Sequence, residues 1–503
     1  MTKSYTPILV GAAQYTQSKN TSSPLDPLGL MTHVCRSAIA DTGAEKLREL
    51  IDTLYVVNLF QWTYRDAPGM LCNALGISPG SSYYTPIGGN TPQLLVHKAA
   101  KALASGQSRA VLLTGAEGIY SLRRALKGDI VLDWPESESP ERIDGEDPPG
   151  VNNLEGAYDL YLPVYVYPLF ETALRFASGR SPDEHRDYMA RLWEHLSNIA
   201  SKNPHAWSRA NLSAGEIATI TEDNRYIGYP YTKNMNANIN VDQSAALILT
   251  TQEVAEDLGI SSSKWVYPLG GADFNDIWNF SQRPRLNESP AIRNAAQIAL
   301  DQAELTLDEI DVFDLYSCFP SAVEIARSEI GIAGDDPRDL SVTGGLTFFG
   351  GAGNNYSMHA IASVAERIRQ NRSLKAMVTA NGWYITKHSI GIYGGIPPAN
   401  SWTAGDNSSR QRAIDAEALP EPVEKAQGGL MVEGYVVRHD RQGHPEKGTV
   451  LGRLSDGRRA LAHIDATQET LLKMEEKELV GRTGEVRFDK DILINLVSFP
   501  EFS

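Results

Sequence analysis

Gly350-Gly351-Ala352-Gly353-Asn354-Asn355 opens a helix-length segment running to residue 370, and a strand core follows near Met377. An earlier stretch repeats this order. Gly88-Gly89-Asn90 opens a helical segment over 91–105, and a strand core lies near Val111. Asn90 to Val111 is 21 positions and Asn355 to Met377 is 22. Two copies of Gly loop, helix and strand predict one fold built from duplicated halves. Isolated βαβ units also resemble one another, so the flanking pattern matters. Small residues on both helices, Ala99, Ala100 and Ala102 against Ala360, Ala362 and Ser363, would let them lie side by side.

Working outward, strand-length apolar runs alternate with helical segments. Strands are expected over 7–14, 51–59, 109–116 and 241–250, with a helix over 26–41. A second series follows: strands over 264–271, 311–317, 375–380 and 390–394, and helices over 289–303 and 321–330. This alternation predicts α/β layers with a largely parallel sheet. Residues 118–238 break the rhythm and read as a cap or loop insertion, with helices over 168–177 and 182–202, each opened by a Pro suited to a first turn. Residues 1–117 and 239–260 form the first half, and 261–396 the second. Residues 397–427, rich in Pro, Ser, Asp and Asn, suit a linker. The tail, 428–503, carries short strand candidates at 431–439, 448–454, 459–463, 484–488 and 492–499, the spacing of a small OB-like β-barrel.

The chain has 503 residues, 42% hydrophobic and 21% charged, enough for several folded domains. Its formal charge of −16 argues against nucleic acid or an anionic membrane as a partner. An anionic ligand must then be held by local basic residues or helix N-termini. Three scattered cysteines, Cys35, Cys72 and Cys318, make neither a disulfide framework nor a metal site. No metal is expected. No apolar run has membrane-spanning length, and the N-terminus lacks signal-peptide flanks, so a reducing, cytoplasmic setting is expected.

Six segments carry a family resemblance. They are Val10-Gly11-Ala12-Ala13-Gln14, Gly88-Gly89-Asn90-Thr91-Pro92-Gln93, Val241-Asp242-Gln243-Ser244-Ala245-Ala246 and Asp314-Leu315-Tyr316-Ser317-Cys318-Phe319-Pro320, then residues 344–356 and Ala380-Asn381-Gly382-Trp383-Tyr384. In this order they resemble the thiolase superfamily, and within it the thiolase-like proteins related to sterol-carrier-protein-2 thiolases, of the type with an additional C-terminal domain. The resemblance implies a duplicated thiolase-type layered fold, an acyltransferase label resembling acetyl-CoA acetyltransferase, a place in lipid metabolism, coenzyme A as ligand or substrate moiety, and no required cofactor. It leaves room for a homodimer through the core, which the added domain could block or replace.

A thiolase uses a cysteine nucleophile, a histidine in a Gly-His-Pro loop, a strand-end Asn or His, and a second cysteine. The resemblance sets these positions on Gly89, Gly351, Tyr316 and Ala380, and none matches. No Cys lies between Cys72 and Cys318. Thiolase activity is therefore not expected. The expected function is binding of a CoA thioester at a remodelled site. The rivals are a cysteine-independent acyltransferase or retro-aldolase acting on a CoA thioester, and a scaffold with a partner-binding C-terminal domain.

Tyr316, His388 and Cys318 are the candidate reactive residues. Gly89, Asn90, Gly351, Asn354, Asn355 and Asn381 are the candidate substrate-binding residues. Arg123 and Arg124, with Lys127 beside them, are the candidates for the CoA phosphates. Each also has a plain structural reading. Asn90 or Thr91 could simply cap a helix, Cys318 could be a buried apolar residue, and the arginines a solvated face. His97 and His359 read as hydrogen-bonded core residues. Glycines at 88, 89, 350 and 351 would leave room for a bulkier acyl group or a water.

Overall fold

The computed structural model describes residues 5–398, 400, 402, 405 and 407–502. Among these, the strands form three sheets. The first has the order Pro7–Thr16, Asp242–Thr251, Ala110–Gly118, Ile51–Val56, Ser81–Tyr84. The second has the order Tyr267–Asn275, Lys387–Gly394, Lys375–Gly382, Val312–Asp314. Read in parallel, the two match strand for strand. In both, the first two neighbour pairs are antiparallel and the next is parallel. The first sheet adds one edge strand. The halves are joined where Leu9 and Val266 exchange backbone hydrogen bonds of 2.8 and 3.0 Å.

The sheets are mixed rather than largely parallel. Asp242–Thr251 returns after the long insertion and threads between Pro7–Thr16 and Ala110–Gly118, antiparallel to both. A connection this long permits either orientation of the returning strand. Alternation of strands and helices alone could not reveal this.

The helices Thr91–Ala104 and Tyr356–Gln370 form the middle layer. Val96, Ala99, Ala360, Ile361 and Val364 share one buried cluster with Val111 and Leu247 of the first sheet and Ala376 and Val378 of the second. Alanines at the contact let the two backbones approach closely. Pro27–Asp41 covers the outer face of the first sheet and Pro290–Ala303 that of the second. The duplicated, layered architecture expected from the Gly loops is present.

The tail closes a barrel from Gly428–His439, Pro445–Leu454, Arg459–Ile464, Thr483–Asp489 and Ile494–Ser498. Gly428–His439 pairs with both Pro445–Leu454 and Thr483–Asp489, which shuts the ring. Leu430, Val432, Tyr435, Val450, Ala462, Val486 and Val497 fill it. The insertion is tied to this barrel, because Tyr226–Tyr229 adds to the edge of Gly428–His439. Its first long helix is Pro163–Ser178, starting a turn earlier than expected. Pro163 takes the first turn and Pro168 falls inside the helix. In the segment read as a linker, Ser408–Asp415 is helical and packs on Pro290–Ala303. Residues 399, 401, 403, 404 and 406 of that segment, with 1–4 and 503, lie outside the described residues.

Candidate functional site

The two middle helices begin at the same place. Gly88 N–H donates to Asn354 Oδ1 at 2.9 Å, and Ser357 Oγ donates to the Gly89 carbonyl at 3.0 Å. Asn354 Nδ2 donates to the Asn58 carbonyl at 3.0 Å, so both ends of that amide are engaged. Asn355 Nδ2 donates to the Gly115 carbonyl at 2.8 Å, which pins the second loop to the first sheet. Neither Asn90 nor Asn355 caps its helix with its side chain. Both are buried, and their Oδ1 atoms have no partner. Such open valences are uncommon in a folded interior.

The space beside the glycines is mostly taken, contrary to the expectation of room. A Cβ at Gly89 would lie 2.3 Å from Tyr316 Oη and 2.5 Å from the Asn381 carbonyl oxygen. A Cβ at Gly88 would lie 2.5 Å from Asn90 Oδ1 and 2.7 Å from Lys387 Nζ. A Cβ at Gly350, where φ is +116°, would lie 2.5 Å from Gln243 Oε1. Only Gly351 of the four has ordinary clearance, 3.5 Å from the Asn238 carbonyl and Leu346. The side chains of Tyr316 and Lys387 occupy the space beside Gly89 and Gly88. That arrangement is tertiary, and the loop composition does not report it.

Tyr316 is buried and stands edge-on to Tyr356, with ring centroids 5.5 Å apart. Burial, then the neighbouring Cys318, pushes its phenol upward, so it is a proton donor and not a base at neutral pH. Cys318 is buried too, and burial pushes its thiol up to about 12. It is a neutral thiol, which suits the structural reading. Asn381 Nδ2 donates to Tyr167 Oη at 2.9 Å and lies 3.9 Å from Cys318 Sγ, while Asn381 Oδ1 is unpaired. Tyr167 Oη donates in turn to the Trp383 carbonyl at 2.9 Å.

His388 faces Asn381 across the Lys375–Gly382 and Lys387–Gly394 ladder. Its Nε2 lies 3.2 Å from Asp276 Oδ2, close enough for an ion pair but out of line for a hydrogen bond, so Nε2 has no hydrogen-bond partner. Asp276 is engaged by Ser289 Oγ and by Ala291 N–H. His388, Asn90, Thr91 and Lys387 all line a cleft of about 720 Å³, together with Tyr83, Lys98, Asp144 and Asp273. Behind it, Tyr316, Ala380, Asn381 and His388 line a cavity of about 10 Å³, the size of one water. The structure therefore gathers Tyr316, Cys318, His388, Gly89, Asn90 and Asn381 in one region, with Asn354 and Asn355 behind the loop. Gly351 points elsewhere. Arg124 is engaged by the Lys19 and Thr21 carbonyls at 3.0 and 2.9 Å, and Arg123 is exposed.

Two residues of this region escaped the sequence reading. Lys387 directly precedes His388, where the alternation of a strand hides which neighbours each side chain meets. Glu117 ends the buried strand Ala110–Gly118, an acid closing an apolar run. Its Oε1 accepts from Phe60 N–H at 2.7 Å, its Oε2 is unpaired, and burial pushes its carboxyl up to about 8. The expected core histidines hold. His97 Nδ1 lies 2.9 Å from Asp273 Oδ1 and its Nε2 2.9 Å from Gln93 Nε2, while burial pushes His359 down to about 3.

Elsewhere, Glu171, His185 and Glu324 bring ligand-type atoms within 4.8 Å of one another. Arg180 Nη1 lies 3.3 Å from His185 Nδ1, and a guanidinium only donates. His185 Nε2 then carries the proton and donates to Glu171 Oε1 at 2.6 Å, with no lone pair left for a cation.

Comparison with known proteins agrees with this architecture. The family model for the thiolase-like protein type 1 additional C-terminal domain matches residues 410–491. The crystal structure of a monomeric SCP2-thiolase like protein type 1 from Mycobacterium smegmatis is similar over 98% of both chains, with 32% identity and a TM-score of 0.84. An Ltp2-ChsH2(DUF35) aldolase structure covers 77% of this chain and 97% of its own, at 18% identity and a TM-score of 0.59, a likeness of fold alone. A probable acetyl-CoA acetyltransferase of Mycobacterium tuberculosis is 27% identical over 169 residues, 32% of this chain and 38% of that protein. The match thus spans little more than a third of that curated relative's length.

Proposed function

The chain belongs to the SCP2-thiolase-like protein type 1 family, and from that premise we propose that it binds a CoA thioester without thiolase chemistry. The observation that carries this reading is Tyr316 Oη standing where a side chain at position 89 would project. A donor phenol there replaces a nucleophilic thiolate at the meeting point of two helix starts. The adjoining cleft supplies volume for a ligand of substantial size. The reacting end would lie toward Asn90 and His388, with Tyr316 donating to a carbonyl oxygen. Unpaired Asn90 Oδ1 and Asn381 Oδ1 suit the amide N–H groups of a pantetheine arm or a bridging water. Arg123 and Arg124 do not line this cleft, and Lys98, a cation that does, is the group nearer to hand for the phosphates.

The barrel is read as OB-like. Its strands run round the ring in the order first, second, third, fifth, fourth, with the third and fifth parallel. A partner-binding role for it remains the rival reading. A retro-aldol reaction on a CoA thioester is the second enzymatic reading, with His388 beside Asp276 as the group to move a proton.

Calorimetric titration with CoA, acetyl-CoA and a longer acyl-CoA tests the proposal. Acyl-CoA should bind, and Asn90→Leu should weaken it by about tenfold, roughly 1.4 kcal/mol. Acetoacetyl-CoA thiolysis should stay at background. Absence of binding, or an affinity indifferent to Asn90→Leu and Tyr316→Phe, would overturn it in favour of the scaffold.

A further inference from the structure

Lys387 lines the same cleft, and the reading above leaves it unused. Its stem runs through space that two glycines keep open. A Cβ at Gly88 would lie 2.7 Å from Nζ and 2.9 Å from Cε, and a Cβ at Gly382 would lie 3.0 Å from Cε. Both glycines sit in segments that otherwise look like retained framework. Here they cradle a lysine reaching from the second sheet to the first Gly loop. Nζ donates to the Ile87 carbonyl and lies 6.0 Å from the Trp278 ring centroid. Its nearest carboxylate influence is Asp147, which is itself engaged by Ile87 N–H at 3.1 Å. Among the described residues, no carboxylate lies within 4.0 Å of Nζ to form an ion pair. The amine lines the cleft of about 720 Å³.

Asn90 supplies the second observation. Its Oδ1, buried and without a partner, lies 2.5 Å from the same point beside Gly88 that is 2.7 Å from Nζ. Both residues line the cleft, so an amine and a free acceptor stand close together on its wall.

We infer that Lys387 Nζ is a carbonyl-capturing amine, forming an imine with a ketone or aldehyde carbon presented in this cleft. The nitrogen lone pair attacks the carbonyl carbon. The N–C bond forms, and the carbonyl π pair moves to oxygen, which takes a proton. The resulting carbinolamine hydroxyl is a donor, and Asn90 Oδ1 is positioned to accept from it. Loss of that oxygen as water, with the protons from nitrogen, leaves the C=N bond, with no change in oxidation state. Burial lowers the lysine from its ordinary value although Asp147 opposes this, which enlarges the neutral fraction at neutral pH. The ligand class is a small keto acid or aldehyde, or the keto group of an acyl-CoA. The inference rests on the proposed reading only in taking this cleft as the ligand site.

The full chain would be treated with acetoacetate, and separately with propionaldehyde, in the presence of sodium borohydride or cyanoborohydride. Peptide mass mapping then locates the reduced adduct. Labelling at Lys387 should exceed that at exposed Lys127 and Lys490 by tenfold or more at pH 7. Lys387→Arg should abolish it while far-ultraviolet circular dichroism is unchanged, and Lys473→Arg, on an exposed helix outside the cleft, should leave it intact. Labelling spread evenly over surface lysines, or persisting enrichment elsewhere in Lys387→Arg, would overturn the assignment. Because neither probe contains CoA, a failure here is separate from a failure of CoA binding.

Discussion

Glu117 shows how one residue couples the site to stability. Folded, its carboxyl titrates near 8, because burial penalises the anion more than the Phe60 and Gln61 N–H groups favour it. Unfolded, it returns to 4.5. Below 4.5 both states are neutral and the residue is indifferent to pH. Between 4.5 and 8 the unfolded chain ionises first, so stability falls as pH rises, and the loss is complete above 8. Glu117→Gln keeps an acceptor for Phe60 N–H and removes this term. Urea unfolding at pH 5 and pH 8.5 should show the native chain losing roughly 3–5 kcal/mol relative to the variant. Parallel pH profiles would contradict it. The residue was visible in the sequence, but its protonation was not, because that depends on the strands and the Gly353 loop packed around it. A Cβ at Gly353 would lie 2.4 Å from Glu117 Oε1.

At the scale of elements, the acidic, proline-containing loop over 136–149, ahead of the insertion helices, has a specific task. The edge strand Ser81–Tyr84 would present unpaired backbone groups. Asp144 N–H donates to the Tyr84 carbonyl at 2.7 Å, and Tyr84 N–H donates to Asp144 Oδ2 at 2.8 Å. Arg142 Nη2 donates to the Ser82 carbonyl at 2.6 Å. The loop thus covers the edge with charged residues. Replacing residues 139–148 by a Gly-Ser linker should uncover it and raise the average mass measured by light scattering. A mass equal to that of the native chain would refute this role. The loop's acidity and prolines were legible in the sequence. Its target was not, since the Ser81–Tyr84 strand is only four residues long and lacks an apolar run.

Across the whole molecule, the barrel is clamped to the core through the insertion. Arg175, on Pro163–Ser178, is almost fully buried. Its Nε and Nη2 donate to Glu478 at 2.8 and 3.0 Å, Nη1 to Tyr229 Oη at 3.0 Å, and Nη2 to Tyr435 Oη at 2.9 Å. Arg459 of the barrel donates to the Ser281 carbonyl at 3.0 Å, a second tie. Removing one partner of such a buried pair leaves the other uncompensated, although water reaches part of Glu478. Arg175→Met should lower stability by about 2–3 kcal/mol and speed proteolytic release of the tail. Native-like proteolysis would show that the clamp is dispensable. Among the described residues, no helix is long and apolar enough to cross a membrane.

By itself the sequence determined the duplicated layers, the paired Gly loops and the strand-rich tail. Periodicity, glycine and proline are local properties that leave a local record. It also determined that no cysteine stands at position 89. The tertiary structure decided what stands beside Gly88 and Gly89. Tyr316, two residues beyond the strand Val312–Asp314, and Lys387, at the start of Lys387–Gly394, reach the Gly88-Gly89 loop from the other half, and their contacts depend on strand register and side-chain direction. It also decided the mixed sheet order, since a strand returning after more than a hundred residues chooses its neighbours by packing and not by adjacency. Contacts between residues hundreds of positions apart carry no periodic signature, and for that physical reason the candidate site could be placed in the sequence but not furnished from it.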